Sequence, residues 1–146
     1  MAKAQAWETD LLKLTFNATN IANIADNAAT SPLTNIYISL HTADPTETGN
    51  QTSSEATYTS YARVAVIRTT AGWTVTAGTP SSVTNAAAVT FPQCTGGSST
   101  VTYIGIGTAS SGTGKLLYTG ALTSSLAVSN NITPSFAIGA LTITED

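Results

Sequence analysis

The chain has 146 residues, of which only 9 % are charged, with a net charge of −3 at pH 7. That length gives one domain with a core of its own, and five cations, Lys3, Lys13, Arg63, Arg68 and Lys115, make no basic patch for a phosphate backbone, which excludes nucleic acid as a partner. Lone Cys94 excludes an intramolecular disulfide and a zinc cluster, and no apolar run nears the ~20 residues of a membrane span.

The first element in the chain is helical. From Glu8 to Asn27, Leu11, Leu12, Phe16, Ile24 and Ala28 fall at loosely 3.6-residue spacing, and Thr9 or Asp10 can cap. Asparagines at 17, 20, 23 and 27 weaken the pattern, so one or two short helices are expected, ending before Ser31-Pro32. Residues 1–32 thus read as an arm packed on a β domain of residues 33–146, plugging its end or docking on a partner. The N-terminus has no basic region followed by an apolar stretch, so synthesis in the cytoplasm is expected.

The stretch from Asn35 opens with a strand, because Ile36, Ile38 and Leu40 alternate with Tyr37, Ser39 and His41. Asp44-Pro45 ends it, since proline has no N–H for the ladder. Thr46 to Ser60 has no aliphatic side chain larger than that of Ala56, so it reads as a surface loop too polar to order itself, free to contact a neighbouring subunit through Tyr58. A second strand starts at Tyr61, with Ala62, Val64 and Val66 on one face. Short strands follow at Trp73 to Val75, Val83 to Phe91, Thr100 to Thr108, Lys115 to Leu122, Leu126 to Val128 and Phe136 to Thr144. Gly105 and Gly107 share one face of their strand, which leaves room for a neighbouring chain or a large aromatic. About eight or nine short strands punctuated by turns give an all-β fold, a jelly-roll-like β-sandwich with a short N-terminal helical segment.

Little in this pattern promises chemistry. The stretch Ala109 to Leu116 imitates a phosphate-binding loop but lacks glycine at 109 and Ser or Thr at 116, so it reads as a hairpin turn. His41, the only histidine, reads as a strand-end imidazole bonded to the adjacent turn. Asp44, Glu47 and Glu55 have no calcium-loop spacing and read as a solvated acidic loop. Cys94 reads as a plain thiol. No catalytic residue, cofactor or metal is expected. Tyr58, Tyr61 and Tyr118 suit an interface, because a phenol can sit between wet and dry surroundings.

The whole sequence resembles a family of tailed-bacteriophage structural proteins, often labelled tail fibre proteins, that includes jelly-roll cement (decoration) proteins of podovirus heads. The resemblance rests on Ile38-Ser-Leu40-His-Thr-Ala-Asp-Pro45 with Glu47-Thr-Gly49, Tyr61-Ala-Arg63-Val-Ala-Val66, Phe91-Pro92 before a Cys-Thr-Gly-Gly turn, Ile104-Gly-Ile-Gly-Thr108 and the closing Leu141-Thr-Ile-Thr-Glu-Asp146. It implies a non-enzymatic virion protein on the head exterior that bridges and stabilises the major capsid protein lattice, as a dimer or trimer. Tyr58, Tyr61, Arg63 and Glu47 are the expected contact residues. The alternatives are a tail or tail-fibre component and, behind it, a carbohydrate-binding adhesin. The chain has no repetitive shaft, which favours the head.

Overall fold

A computed structural model describes residues 2–7, 10–11, 20–25, 33–76 and 81–145. The expected Glu8 to Asn27 helix lies mostly outside them; residues 5–7 and 10–11 are helical. The rest is antiparallel strand: β1 (Ala2–Lys3), β2 (Asn35–His41), β3 (Val64–Ile67), β4 (Trp73–Thr76), β5 (Ser81–Asn85), β6 (Val89–Thr90), β7 (Ser98–Gly107), β8 (Leu116–Ser129), β9 (Ser135–Phe136) and β10 (Thr142–Glu145). They form a five-stranded sheet in the order β1-β8-β7-β2-β3, a three-stranded sheet β10-β5-β4 and a β6-β9 pair. The protein is an all-β sandwich, as its alternating pattern requires.

The inner face of the large sheet is set by β2. Ile38 pairs with Ile106 and Leu40 with Ile104, and all four are buried. Burying an aliphatic side chain of this size contributes about 1.5–3 kcal/mol, so this quartet is the main anchor of the sheet. Opposite it, Val83, Leu141 and Ile143 of the small sheet and the adjoining turn join the same cluster, together with Trp73 and Phe91.

Two expected strands are broken by one residue. Val83 to Phe91 divides into β5 and β6, and Phe136 to Thr144 into β9 and β10. Between the halves the fully buried Asn85 amide donates to the carbonyls of Ala87 and Ala137, each at 2.8 Å, and accepts from Leu141 N at 2.9 Å. A side chain that bonds three backbone groups competes with the ladder and turns both segments. Conversely, Lys115 to Leu122 and Leu126 to Val128 merge into the single 14-residue β8, because β7 is long enough to pair with both parts, from Ser98 with Ser129 to Gly107 with Leu116.

The described N-terminal residues close one end of the sandwich. Trp7 and Ile21 pack with Leu117, against Ile36 and Tyr118, and Trp7 Nε1 donates to the Tyr118 hydroxyl at 3.2 Å. Arg68 ties this segment down by donating to the carbonyls of Leu33, Asn23 and Ile24.

Candidate functional site

The second face of β2 carries Ser39 and His41, and it too is sealed: both residues are 0 % exposed. The cover is the polar loop itself. Its last part runs along the free edge of β2 beyond β3, with Thr42 N donating to Ser54 O and Ala56 N to Leu40 O, each at 2.8 Å. Its middle folds over the sheet. The fully buried Gln51 accepts from Ala109 N at 2.9 Å, and its backbone N–H donates to Gly114 O. The loop runs over the surface as expected, but it is ordered by its own chain, because its amides find partners that composition does not display.

Glycines make this cover possible. A Cβ on Gly107 would lie 2.2 Å from Gln51 Cδ, one on Gly114 2.0 Å from Gln51 Oε1, and one on Gly105 2.6 Å from His41 Nε2. The room expected for a neighbouring chain is filled by Gln51, His41 and Ser39.

His41 has the outline of a catalytic base. Its Nε2 is 2.8 Å from Ser39 Oγ and its Nδ1 2.7 Å from Ser53 O. A carbonyl can only accept, so Nδ1 donates, and in the neutral ring Nε2 accepts from the serine. Burial holds the imidazole below its ordinary value. The pair lies beneath the loop, with a backbone carbonyl in place of an orienting carboxylate, and what it fixes is the loop.

A second group of polar side chains closes the loop's end. Arg63 grips Glu55 in a two-pronged pair, Nε to Oε1 at 2.7 Å and Nη2 to Oε2 at 2.8 Å. The same guanidinium donates to the carbonyls of Ala109 and Gly112. The turn that imitates a phosphate loop thus aims carbonyls at an arginine, and Thr108 N donates to Lys115 O across it as in any hairpin. The Tyr61 hydroxyl donates to Glu55 Oε1 and accepts from Leu40 N, and burial pushes its pKa up.

Three of the four expected contact residues have their polar groups bonded within the chain. Tyr58 is 2 % exposed, its hydroxyl donating to Pro92 O at 3.0 Å, with its pKa pushed by burial up to about 12. Its ring meets Tyr61 edge-on at 5.3 Å, and Tyr61 stacks on Phe91 at 6.3 Å. Arg63 is 9 % exposed. Large and charged groups in a polar segment found partners within the chain, and of the four residues Glu47 alone is exposed. Sequence reasoning missed Gln51 and Asn85; the glycine pair at 105 and 107 was the signal for the first, and the second had none.

Two of the surface concavities flank the large sheet. One, of about 330 Å³, is apolar and opens between the sheets, where Ile36, Ile106 and Tyr118 face Val75, Val83 and Ile143. The other, of about 350 Å³, lies between the loop residues Asp44, Thr46 and Glu47 and the strand residues Tyr103 and Thr119.

A family model described as "Podophage GP4 fiber I protein gp80" matches residues 4–144. No curated protein matches the chain at a significant level.

Proposed function

Because the chain belongs to the podophage GP4 fiber I protein gp80 family, a family of phage structural proteins, we propose that it is a non-enzymatic virion subunit acting as cement on the assembled head. The observation that carries the cement reading is the build of the chain. Its sheets and described N-terminal residues pack into one body, and no strand among the described residues runs out as a fibre shaft. A cement needs such a body and a surface to lay on a lattice. The partner is the major capsid protein, bridged by a dimer or trimer of this chain on the head exterior.

With Tyr58, Tyr61 and Arg63 committed inward, the contact falls to exposed apolar side chains such as Ile67, Val75, Ile132 and Ile138, and to the surrounding hydroxyls. A fibre component of the tail is the second reading, favoured by the family's description as a fiber protein. A virion reconstruction decides between them: density for this sandwich over junctions of capsid subunits is the expected result, and density on the tail overturns the cement reading.

A further inference from the structure

The apolar groove of about 330 Å³ between the sheets has a polar end. Apart from Tyr118, whose hydroxyl accepts from Trp7, the polar residues that line it come from one turn, Arg68 to Trp73. That turn is held by bonds from Gly72 N and Trp73 N to Thr69 O, at 2.9 and 3.0 Å. We propose that the groove binds the anion of a single-chain aliphatic carboxylic acid, its chain between the sheets and its carboxylate at Arg68 and Trp73. The proposal is independent of head or tail placement.

Trp73 is the observation that points to a ligand. It is 8 % exposed and lines the groove, yet its buried Nε1 has no hydrogen-bond partner among the described residues. Buried N–H donors are ordinarily partnered, and an indole can only donate, so whatever completes this one carries an acceptor. Arg68 adds the charge. Its Nη1 donates to the carbonyls of Asn23 and Leu33 and its Nη2 to that of Ile24, while Nε bonds no described residue. No described carboxylate pairs with it, the ion pairs being Arg63 with Glu55 and Lys115 with Asp10. A guanidinium with Nε and one Nη2 proton to spare suits a carboxylate, which it takes in two parallel bonds. No acidic residue lines the groove to oppose an anion.

Size and polarity choose among anions. The volume stands at the low end of the roughly 300–1,000 Å³ of small-molecule sites, room for one aliphatic chain and not for the two of a phospholipid. Val75 stands in one row with Val83 and Ile143 of the small sheet, yet it is 75 % exposed. Methylene groups laid against these side chains and against Ile36 and Ile106 take apolar surface out of water on both partners. A sugar or an inorganic anion has no such surface to offer.

The test uses the full chain, isotope-labelled, titrated with sodium octanoate up to about 10 mM, a range that saturates a millimolar site. The expected result is a saturable shift of the backbone amides of Arg68, Trp73, Val75 and Val83, with the Trp73 indole N–H moving downfield as it gains an acceptor. Acetate and 1-octanol, which lack the chain and the charge respectively, should each bind at least about tenfold more weakly. Trp73→Phe removes the N–H and keeps a ring; it should weaken octanoate by roughly tenfold. Arg68 also ties down the N-terminal segment, so the charge is probed from the opposite wall. Val75→Glu, at an exposed position, should leave the melting temperature near that of the parent and weaken octanoate by about threefold or more through like-charge repulsion. Should Trp73→Phe fail to fold, Val75→Glu carries the test. No saturable shift with octanoate overturns the proposal. So does octanol or acetate binding as tightly as octanoate, or octanoate binding unchanged in the variants.

Discussion

The imidazole of His41 sets a pH dependence whose sign follows from its surroundings. Burial lowers its folded pKa, opposed by the bond to Ser53 O and by Glu55, and Arg63 lowers it further. The unfolded chain therefore binds the proton more readily than the folded one. Stability should be full above the ordinary histidine value of about 6.5 and should fall as pH drops below it, levelling off beneath the folded pKa. Melting curves between about pH 7.5 and 5.5 should show this slope, and His41→Gln should flatten it while costing about 1–3 kcal/mol for the lost buried bonds. A slope that survives in the variant would assign the titration elsewhere. Tyr58→Phe makes a second case: it orphans Pro92 O, so denaturant unfolding should show a loss of about 1 kcal/mol. Because Tyr58 is inside, partner binding should be unchanged. Its place was half legible in the sequence. A lone large aromatic in a polar stretch must be buried against something, and composition does not say whether that is the chain's own core or another molecule.

At the scale of the element, the loop and the glycine strand form one mechanical unit. Gly107→Ala would drive a methyl into Gln51, an overpacking that should cost about 1–3 kcal/mol. Shortening Gln51 to Ala should remove much of that clash. In urea unfolding the double variant should therefore lose less than the sum of the two singles, by more than about 0.5 kcal/mol; strict additivity would mean that the two positions do not touch. Arg63→Ala should be worse than either single change, at about 3–5 kcal/mol, because it leaves Glu55 uncompensated beneath the loop and frees two carbonyls. β2 was readable from Ile36 to His41, since a half-apolar strand announces itself by alternation. Its burial on both faces was not. The partners of its polar face lie on a segment whose sequence is Thr, Ser, Asn and Gln, and hydrogen-bond pairing leaves no period in such a string. The breaks after β5 and β9 were hidden for a related reason, as Asn85 acts through backbone groups that every residue possesses.

For the whole molecule, the cement reading makes a thermodynamic prediction. A site composed of neighbouring capsid subunits exists only after assembly, so binding favours the assembled lattice by RT ln(1 + [L]/Kd) per site. Heads lacking the protein should rupture at a lower temperature than complete heads. Adding it back should restore them at moderate as well as low ionic strength, because a chain with 9 % charged residues has little to screen. Depleted heads as robust as complete ones would move the protein to the tail. The order of strands also bears on how such a subunit is made. β1 pairs with β8, and β2 with β7, so the large sheet cannot be assembled until Ser129, the last residue of β8, has left the ribosome. Until Gly107 has emerged, Ile38 and Leu40 wait without β7, and the glycine strand that accepts Gln51 does not yet exist. Folding should therefore be slow and mainly post-translational, on the millisecond-to-second scale of long-range β topologies. Over that interval the nascent chain depends on its hydroxyl-rich, aliphatic-poor loop to avoid sticking to its neighbours.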